Sequence, residues 1–385
     1  MPWGSLLALA AAGFLAIFTE TIPAGLLPSL SSGLGVTESG AGQLVTAYAL
    51  GSVVAAIPLV AWTQRFDRKH VLAAAVAGLG LFNLVTAVVT SYWVILGARF
   101  LAGAAAALVW GVLAGYGRRL APAHLQGRAL AITGIGQPIA LAGAVPLGAF
   151  AASRIGWQWT FGIISIAALL LLTWVWLALP SVPGRPDTNH APVSRVLRLS
   201  GIRTVLVVTA CWILAHNTFY TYIAPLLEGR GPRLEVGLAI FGIASLAGIM
   251  VTGRLIDPAL RTTTLVALGA MALGLAIWLL PPASSVVILT AICVWGLSFG
   301  GAPALLQTAL ADRAGTAGDA AQSIFVTVFN LSVAGGGIIG GLLLASPLGT
   351  TALAAAATLL TLLALAVSAF MPHAFPPGPR TDREI

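Results

Sequence analysis

Residues 64–72 read Gln64-Arg65-Phe66-Asp67-Arg68-Lys69-His70-Val71-Leu72, a short charged knot between two apolar runs at roughly 41–61 and 71–90. Each run is long enough to cross a ~30 Å hydrocarbon core as a helix. The composition of the chain agrees: of 385 residues, 58% are hydrophobic and only 8% charged, which excludes a water-soluble globular protein. The length also excludes a single-pass receptor or a soluble enzyme with one anchor. The first apolar run, about Leu6 to Leu27, is too long for the core of a cleaved signal and contains a carboxylate, so it is a retained span.

Working outward gives twelve candidate helices, at roughly 5–27, 41–61, 71–90, 92–115, 127–152, 157–180, 202–226, 235–253, 262–281, 284–307, 321–345 and 349–370. The most polar internal stretch, Ser181 to Gly201, holds Pro183, Arg185, Pro186, Asp187, Asn189, His190, Arg195 and Arg198 and falls near mid-chain. The expectation is an all-α integral membrane protein with twelve transmembrane helices in two six-helix bundles. The N-terminal bundle would span 1–180, a cytoplasmic linker 181–201, the C-terminal bundle 202–372 and a cytoplasmic tail 373–385.

The formal charge of +8 follows from orientation rather than from a nucleic-acid partner. With the amino terminus inside, 15 of the 19 Lys and Arg residues are cytoplasmic; Arg154, Arg230 and Arg233 face outward and Arg99 lies within a helix. Both termini are therefore expected on the cytoplasmic side of the inner membrane. The charged knot also has a partner: Asp257-Pro258-Ala259-Leu260-Arg261-Thr262-Thr263-Thr264-Leu265 puts Arg261 and Leu265 each 193 positions after Arg68 and Leu72. The same offset carries Gly143 to Gly336 and Gly148 to Gly341, as a six-plus-six repeat requires.

Several of these stretches carry recognisable signatures. Gly253-Arg254-Leu255-Ile256-Asp257, followed by Arg261 and Leu265, has a first-half counterpart in Arg65, Arg68, Lys69 and Leu72, where Gln64 replaces an aspartate and Asp67 lies three residues on. Others are Ala98-Arg99-Phe100-Leu101-Ala102-Gly103, Gly127-Arg128-Ala129, Gly143-Ala144-Val145-Pro146-Leu147-Gly148, Gly156-Trp157-Gln158-Trp159-Thr160-Phe161 and the opening Thr19-Glu20-Thr21-Ile22-Pro23-Ala24-Gly25-Leu26-Leu27-Pro28. Together they resemble the major facilitator superfamily, and within it the proton-coupled drug and sugar efflux branch. The resemblance implies alternating access and proton antiport of a small polar or amphiphilic compound: a sugar, a nucleoside, or a drug such as chloramphenicol. A monomer is the family default.

Of eleven acidic residues only Glu20 lies within a span. An ionised acid near a helix centre costs about 2.5 to 3.5 kcal/mol, so it should face the bundle interior, either binding a proton or cationic substrate or serving as a neutral structural contact. Arg99, the one basic residue away from span ends, must find acceptors inside the protein. The resemblance gives it a part in proton release or occlusion; the plain alternative is that it caps carbonyls and joins helices. On the seventh span Trp212, His216 and Tyr220 share a face with Asn217 adjacent. Aligning Pro28 with Pro225 sets Asn217 opposite Glu20, as walls of a central cavity, although aromatic stripes are also common as packing. Tyr48, Trp110, Gln137, Gln307 and Asn330 complete the substrate-binding candidates, Gln137 and Asn330 being again 193 apart.

Glycines at 134, 136, 143 and 148, and at 335–337, 340 and 341, suit close helix approach, with Pro138 and Pro146 bending the fifth span. Arg65, Asp67, Arg68, Lys69, Asp257 and Arg261 are gating candidates; topology signalling alone would account for the bases but not for Asp257. The two cysteines are far apart, the five histidines lack metal-ligand spacing and Lys69, the sole lysine, follows no phosphate loop, so no cofactor or ATP drive is expected. An ion gradient remains as the energy source. The competing readings are uptake or facilitated diffusion, and a transporter-like membrane sensor or lipid-handling protein.

Overall fold

The computed structural model describes residues 1–56, 58–122, 125–184, 193–281, 284–371 and 374–375. Contacts divide the chain into two compact units, Met1–Thr188 and Asn189–Ile385. Within the expected linker, 185–192 lie outside the described residues, as do 376–385 of the expected tail.

The first unit contains α1 (Trp3–Gly25), α2 (Leu27–Leu34), α3 (Glu38–Ala56), α4 (Pro58–Thr63), α5 (Arg68–Val88), α6 (Tyr92–Arg119), α7 (Gln126–Gly134), α8 (Gly136–Ile139), a π-helical turn Ala140–Ala144, α9 (Val145–Ile155) and α10 (Trp157–Ala178). The second contains α11 (Val193–Val196), α12 (Ile202–Tyr220), α13 (Ile223–Leu227), α14 (Leu234–Ala276), α15 (Ser285–Gly300), α16 (Ala302–Ala314), α17 (Gly318–Leu344) and α18 (Gly349–Phe370). Among the described residues, ten helical stretches are long and apolar enough to cross a membrane. One of these, Leu234–Leu279, is 46 residues long and folds back at Ala259 (φ −147°, ψ 42°), so it supplies two spans. The helices α3 and α4, on either side of residue 57, supply another, and the total among the described residues is twelve. Leu177, Leu273, Val286 and Phe370 are among the large apolar side chains left exposed, as a lipid-facing surface requires.

Three features depart from a reading of uniform spans. Spans eight and nine, expected as separate helices with a loop between, meet at a kink where Pro258 cannot donate its hydrogen bond. Span five is not one bent helix but three helical pieces around the π turn, with Pro138 before it and Pro146 after. The opening of the linker, Ser181 to Gly184, is packed on the first unit: the Arg68 amide donates to the Val182 carbonyl at 2.9 Å, and Gly184 lies against the main chain of residues 64–66.

Glycine sets the closest helix approaches. A Cβ on Gly103 of α6 would collide with the Tyr48 carbonyl of α3, and one on Gly296 of α15 would press on the Phe241 carbonyl of α14 at 2.5 Å. Tyr48 and Phe241, like Gly103 and Gly296, are 193 positions apart, so the repeat inferred from the loops is present as the same helix contact in each unit. Gly136, Gly148, Gly336 and Gly340 also sit against neighbouring helices, whereas Gly134 and Gly143 face open space; those two are not packing seams.

Candidate functional site

In the first unit the buried chemistry gathers where α1, α3, α5 and α6 meet. Pro23 lies four residues after Thr19 inside α1 and has no N–H, so the Thr19 carbonyl has no ordinary helical donor. Arg99 supplies one: its Nη2 donates to that oxygen at 2.7 Å, and its Nε donates to the Leu44 carbonyl of α3 at 3.4 Å. The guanidinium is 0% exposed and lies over the rings of Tyr48 (4.9 Å) and Phe161 (5.7 Å). Such cation–π placement stabilises a charge withdrawn from water. The Tyr48 hydroxyl donates to the Ala16 carbonyl at 2.9 Å, so this candidate substrate residue is itself buried and bonded between helices.

Glu20 follows Thr19 directly, is partly buried, and lies within electrostatic reach of Arg99 and Tyr48. Sequence reasoning left Glu20 and Arg99 unlinked; the fold sets the Arg99 guanidinium of α6 on the carbonyl of Thr19, the residue before Glu20 on α1. Two participants were missed, Thr19 and Asn83. The Asn83 amide, on α5, donates to the Thr19 hydroxyl at 3.1 Å and to the Leu79 carbonyl at 2.8 Å. The test that singled out Gln137 and Asn330, a neutral amide inside an apolar run, would also have found Asn83. Trp110 packs against Gly13 of α1, its ring 3.7 Å from where a Cβ would stand, and Gln137 is partly buried on α8.

The second unit answers with aromatic rings rather than charge. His216, 7% exposed, stacks on Phe299 with centroids 3.4 Å apart and planes 4° apart, and is flanked by Tyr220, Phe241 and Trp295 at 5.2, 5.6 and 5.4 Å. Its Nδ1 and the Trp295 Nε1 are buried without a hydrogen-bond partner. Trp212 is fully buried and donates to the Met271 sulfur at 3.1 Å, a packing role. Asn217 and Asn330 each donate back to the carbonyl four residues earlier in their own helices, at 2.9 Å in both cases. Gln307 is exposed and accepts from Gln322 at 3.3 Å.

The gating candidates bind within their own units. Asp67 caps α5 by accepting from the Lys69 amide at 2.8 Å; it also accepts from the Ser181 hydroxyl and pairs with His70 at 3.4 Å. Lys69 Nζ donates to the Trp176 carbonyl near the end of α10 at 2.8 Å, and Arg68 donates to the Thr63 and Phe66 carbonyls. Arg65 rests on the Trp62 and Phe66 rings. In the second unit Arg261 donates to the Ala369 carbonyl at 2.8 Å and to the Phe375 carbonyl at 3.3 Å, at the end of α18; Asp257 is exposed beside the kink. Ala369 and Phe375 fall 193 positions after Trp176 and Val182, the acceptors used in the first unit. Each charged turn thus caps the last helix of its own bundle, where cations favour the negative end of the helix dipole.

The chain as a whole has counterparts among known proteins. Residues 9–321 match the sequence profile of the Major Facilitator Superfamily. The chain belongs to that family. It is therefore a multi-pass membrane transporter of the facilitator type, not an enzyme. Among its relatives, the purine ribonucleoside efflux pump NepI of Escherichia coli K12 is 31% identical over 380 residues, covering 95% of this chain and 94% of the pump. A Pseudomonas aeruginosa protein named transcription regulatory protein OpdE is 27% identical over 351 residues, covering 89% and 87%. A crystal structure of a D-xylose–proton symporter superposes with a TM-score of 0.78 over 96% of this chain and 98% of that one, at 18% identity, and establishes the shared facilitator fold.

Proposed function

We propose that this facilitator protein exports a small polar or amphiphilic compound of the nucleoside class across the inner membrane in exchange for protons, by alternating access. The observation that carries the reading is the placement of Glu20, a carboxyl inside the first span, next to the carbonyl that Arg99 holds. A partly buried carboxyl and a fixed cation near it form a group whose proton affinity depends on small changes in their spacing. A proton moving inward through 100 mV releases about 2.3 kcal/mol, enough for modest uphill export per cycle before any pH gradient is counted. The name of NepI supports a nucleoside as cargo. Tyr48, Trp110, Gln137, His216, Asn217, Tyr220, Gln307 and Asn330 remain the proposed substrate residues, and Arg65, Asp67, Arg68, Lys69, Asp257 and Arg261 the proposed gate.

The test is transport in inverted vesicles with an imposed pH gradient and a purine ribonucleoside as substrate. Exchange predicts substrate-induced proton release in the wild type and its loss in Glu20→Gln at equal expression; release that persists in the variant rejects Glu20 as the coupling group. Gradient-independent flux would instead indicate facilitated diffusion. OpdE's name favours a second reading, a transporter-like regulator, which predicts neither flux nor proton release.

A further inference from the structure

We propose that Asn83 is a positioning residue for the coupling carboxyl: acting through the Thr19 hydroxyl, it fixes the turn of α1 that carries Glu20 and presents the Thr19 carbonyl to Arg99. The proposal rests on the coupling role of Glu20 given above.

Threonine inside an apolar helix ordinarily turns its hydroxyl back to the carbonyl four residues earlier, and this chain follows the habit at Thr21, Thr86, Thr209, Thr264 and Thr361. Thr19, fully buried, does not; its hydroxyl oxygen accepts the Asn83 amide from another helix. Asn83 is 1% exposed, and its own Leu79 bond would have been the nearest local means of satisfying it. The extra reach joins α5 to α1 at the residue whose carbonyl Pro23 has left free and Arg99 has taken. Thr19 is therefore held from two sides, by side chain and by main chain, immediately before Glu20. Asn83 Oδ1 and Arg99 Nη1 are both buried without a partner, so the two holders are constrained by geometry rather than by a full set of bonds.

The ionisable groups around Glu20 are few. Arg99 on α6 and Tyr48 on α3 act on it electrostatically. The remaining titratable groups of α6 are Tyr92, at its start, and Tyr116, Arg118 and Arg119, toward its end; α3 adds Glu38 at its first residue. The ionisable groups of α5 are Arg68, Lys69 and His70 at its start; α7 has Arg128, set against Trp3, and α9 has Arg154, set against Phe150. The sequences of α2, α8, the π turn and α10 contain no ionisable side chain. A change in how α1 is held relative to Arg99 should therefore register at Glu20.

The experiment follows the protonated-carboxyl stretch by infrared difference spectroscopy on the purified full-length protein in lipid, with no substrate, using Glu20→Gln to identify the band. Thr19→Val keeps the shape and removes the hydroxyl; Thr19→Ser keeps the hydroxyl. Thr19→Val and Asn83→Ala are expected to move the Glu20 midpoint by half a pH unit or more, about a threefold change in proton affinity, and the double variant no further than either single one. Thr19→Ser should leave it in place. A midpoint unmoved in Thr19→Val, or shifts that add in the double variant, overturns the proposal. Lowered thermal stability with an unmoved midpoint marks a merely structural contact, and overturns it too. The coupling reading is tested separately: if Glu20→Gln retains proton-linked export, that reading falls and takes the positioning role with it. If Glu20→Gln abolishes export but Thr19→Val leaves the midpoint alone, only Asn83 is rejected.

Discussion

Asp67 shows what a single side chain can join. Burial works against its charge, but the Ser181 hydroxyl, the Lys69 and His70 amides and the neighbouring His70 ring outweigh that, so it titrates below the ordinary aspartate value of 3.8. A folded-state value lower than the unfolded one means that its stabilisation is fully present above about pH 3.9 and is lost as the pH falls through the folded value. Asp67→Ala removes a helix cap and should lower stability by about 1 kcal/mol at neutral pH. Ser181→Ala should lower the thermal midpoint at pH 7, and the gap to the wild type should narrow on acidification; a gap independent of pH would contradict the assignment. That Asp67 is engaged was foreseeable from its place before a helix, but its acceptance from Ser181 was not, because nothing in a polar stretch 114 residues away marks it as docked. Arg99 was legible as a buried charge in want of acceptors. Its acceptor was legible in hindsight: a proline four residues after Thr19 frees one carbonyl, and a free carbonyl in a membrane helix needs a donor.

Between elements, the decisive contacts involve no side chain at one of the two partners. Gly103 against Tyr48 and Gly296 against Phe241 bring α6 to α3 and α15 to α14 at main-chain distance. Gly103→Ala and Gly296→Ala should each destabilise by about 1–3 kcal/mol, since the added methyl meets backbone rather than a movable side chain. Gly115→Ala, where nothing lies within 4 Å, is the control and should be neutral. Thermal unfolding of the purified variants decides; equal midpoints for all three would refute the close-packing account. Hydropathy located these spans because crossing a bilayer demands length and apolarity. It could not separate the glycines that touch a neighbour from those at 134 and 143 that do not, since rotational phase about a broken helix is not written in composition. The kink at Ala259 was hidden for a related reason: a polar turn reads alike whether the chain reverses through a loop or at a single residue.

For the molecule as a whole, the 193-residue offset was readable from two loops, and the structure extends it to a helix contact and to the capped ends of α10 and α18. What the offset did not foretell is how the halves diverge. Tyr48 stands beside a buried guanidinium, whereas Phe241, its counterpart, stands in a ring of aromatics around His216. The first unit carries a buried guanidinium and the second a stacked aromatic cluster in its place. The basic loops predict that both termini and the segment between the units are cytoplasmic. Reporter fusions after residues 190 and 385 should be active only in their cytoplasmic form, and an extracytoplasmic signal at either would reverse the orientation.

The π turn at Ala140–Ala144 leaves a lasting mark on the fifth span. Such a turn accommodates one residue more than the surrounding helix would, and each residue of an α-helix advances the side chains by about 100°. The surplus residue works like the offset on a vernier scale: everything downstream, including Gly148 where it meets Phe18 and Ile22, is dialled to a bearing that an uninterrupted coil would miss. Straightening this stretch at its full length would turn a bulkier neighbour into the place Gly148 now occupies, whereas removing one alanine as well would bring Gly148 back to its bearing.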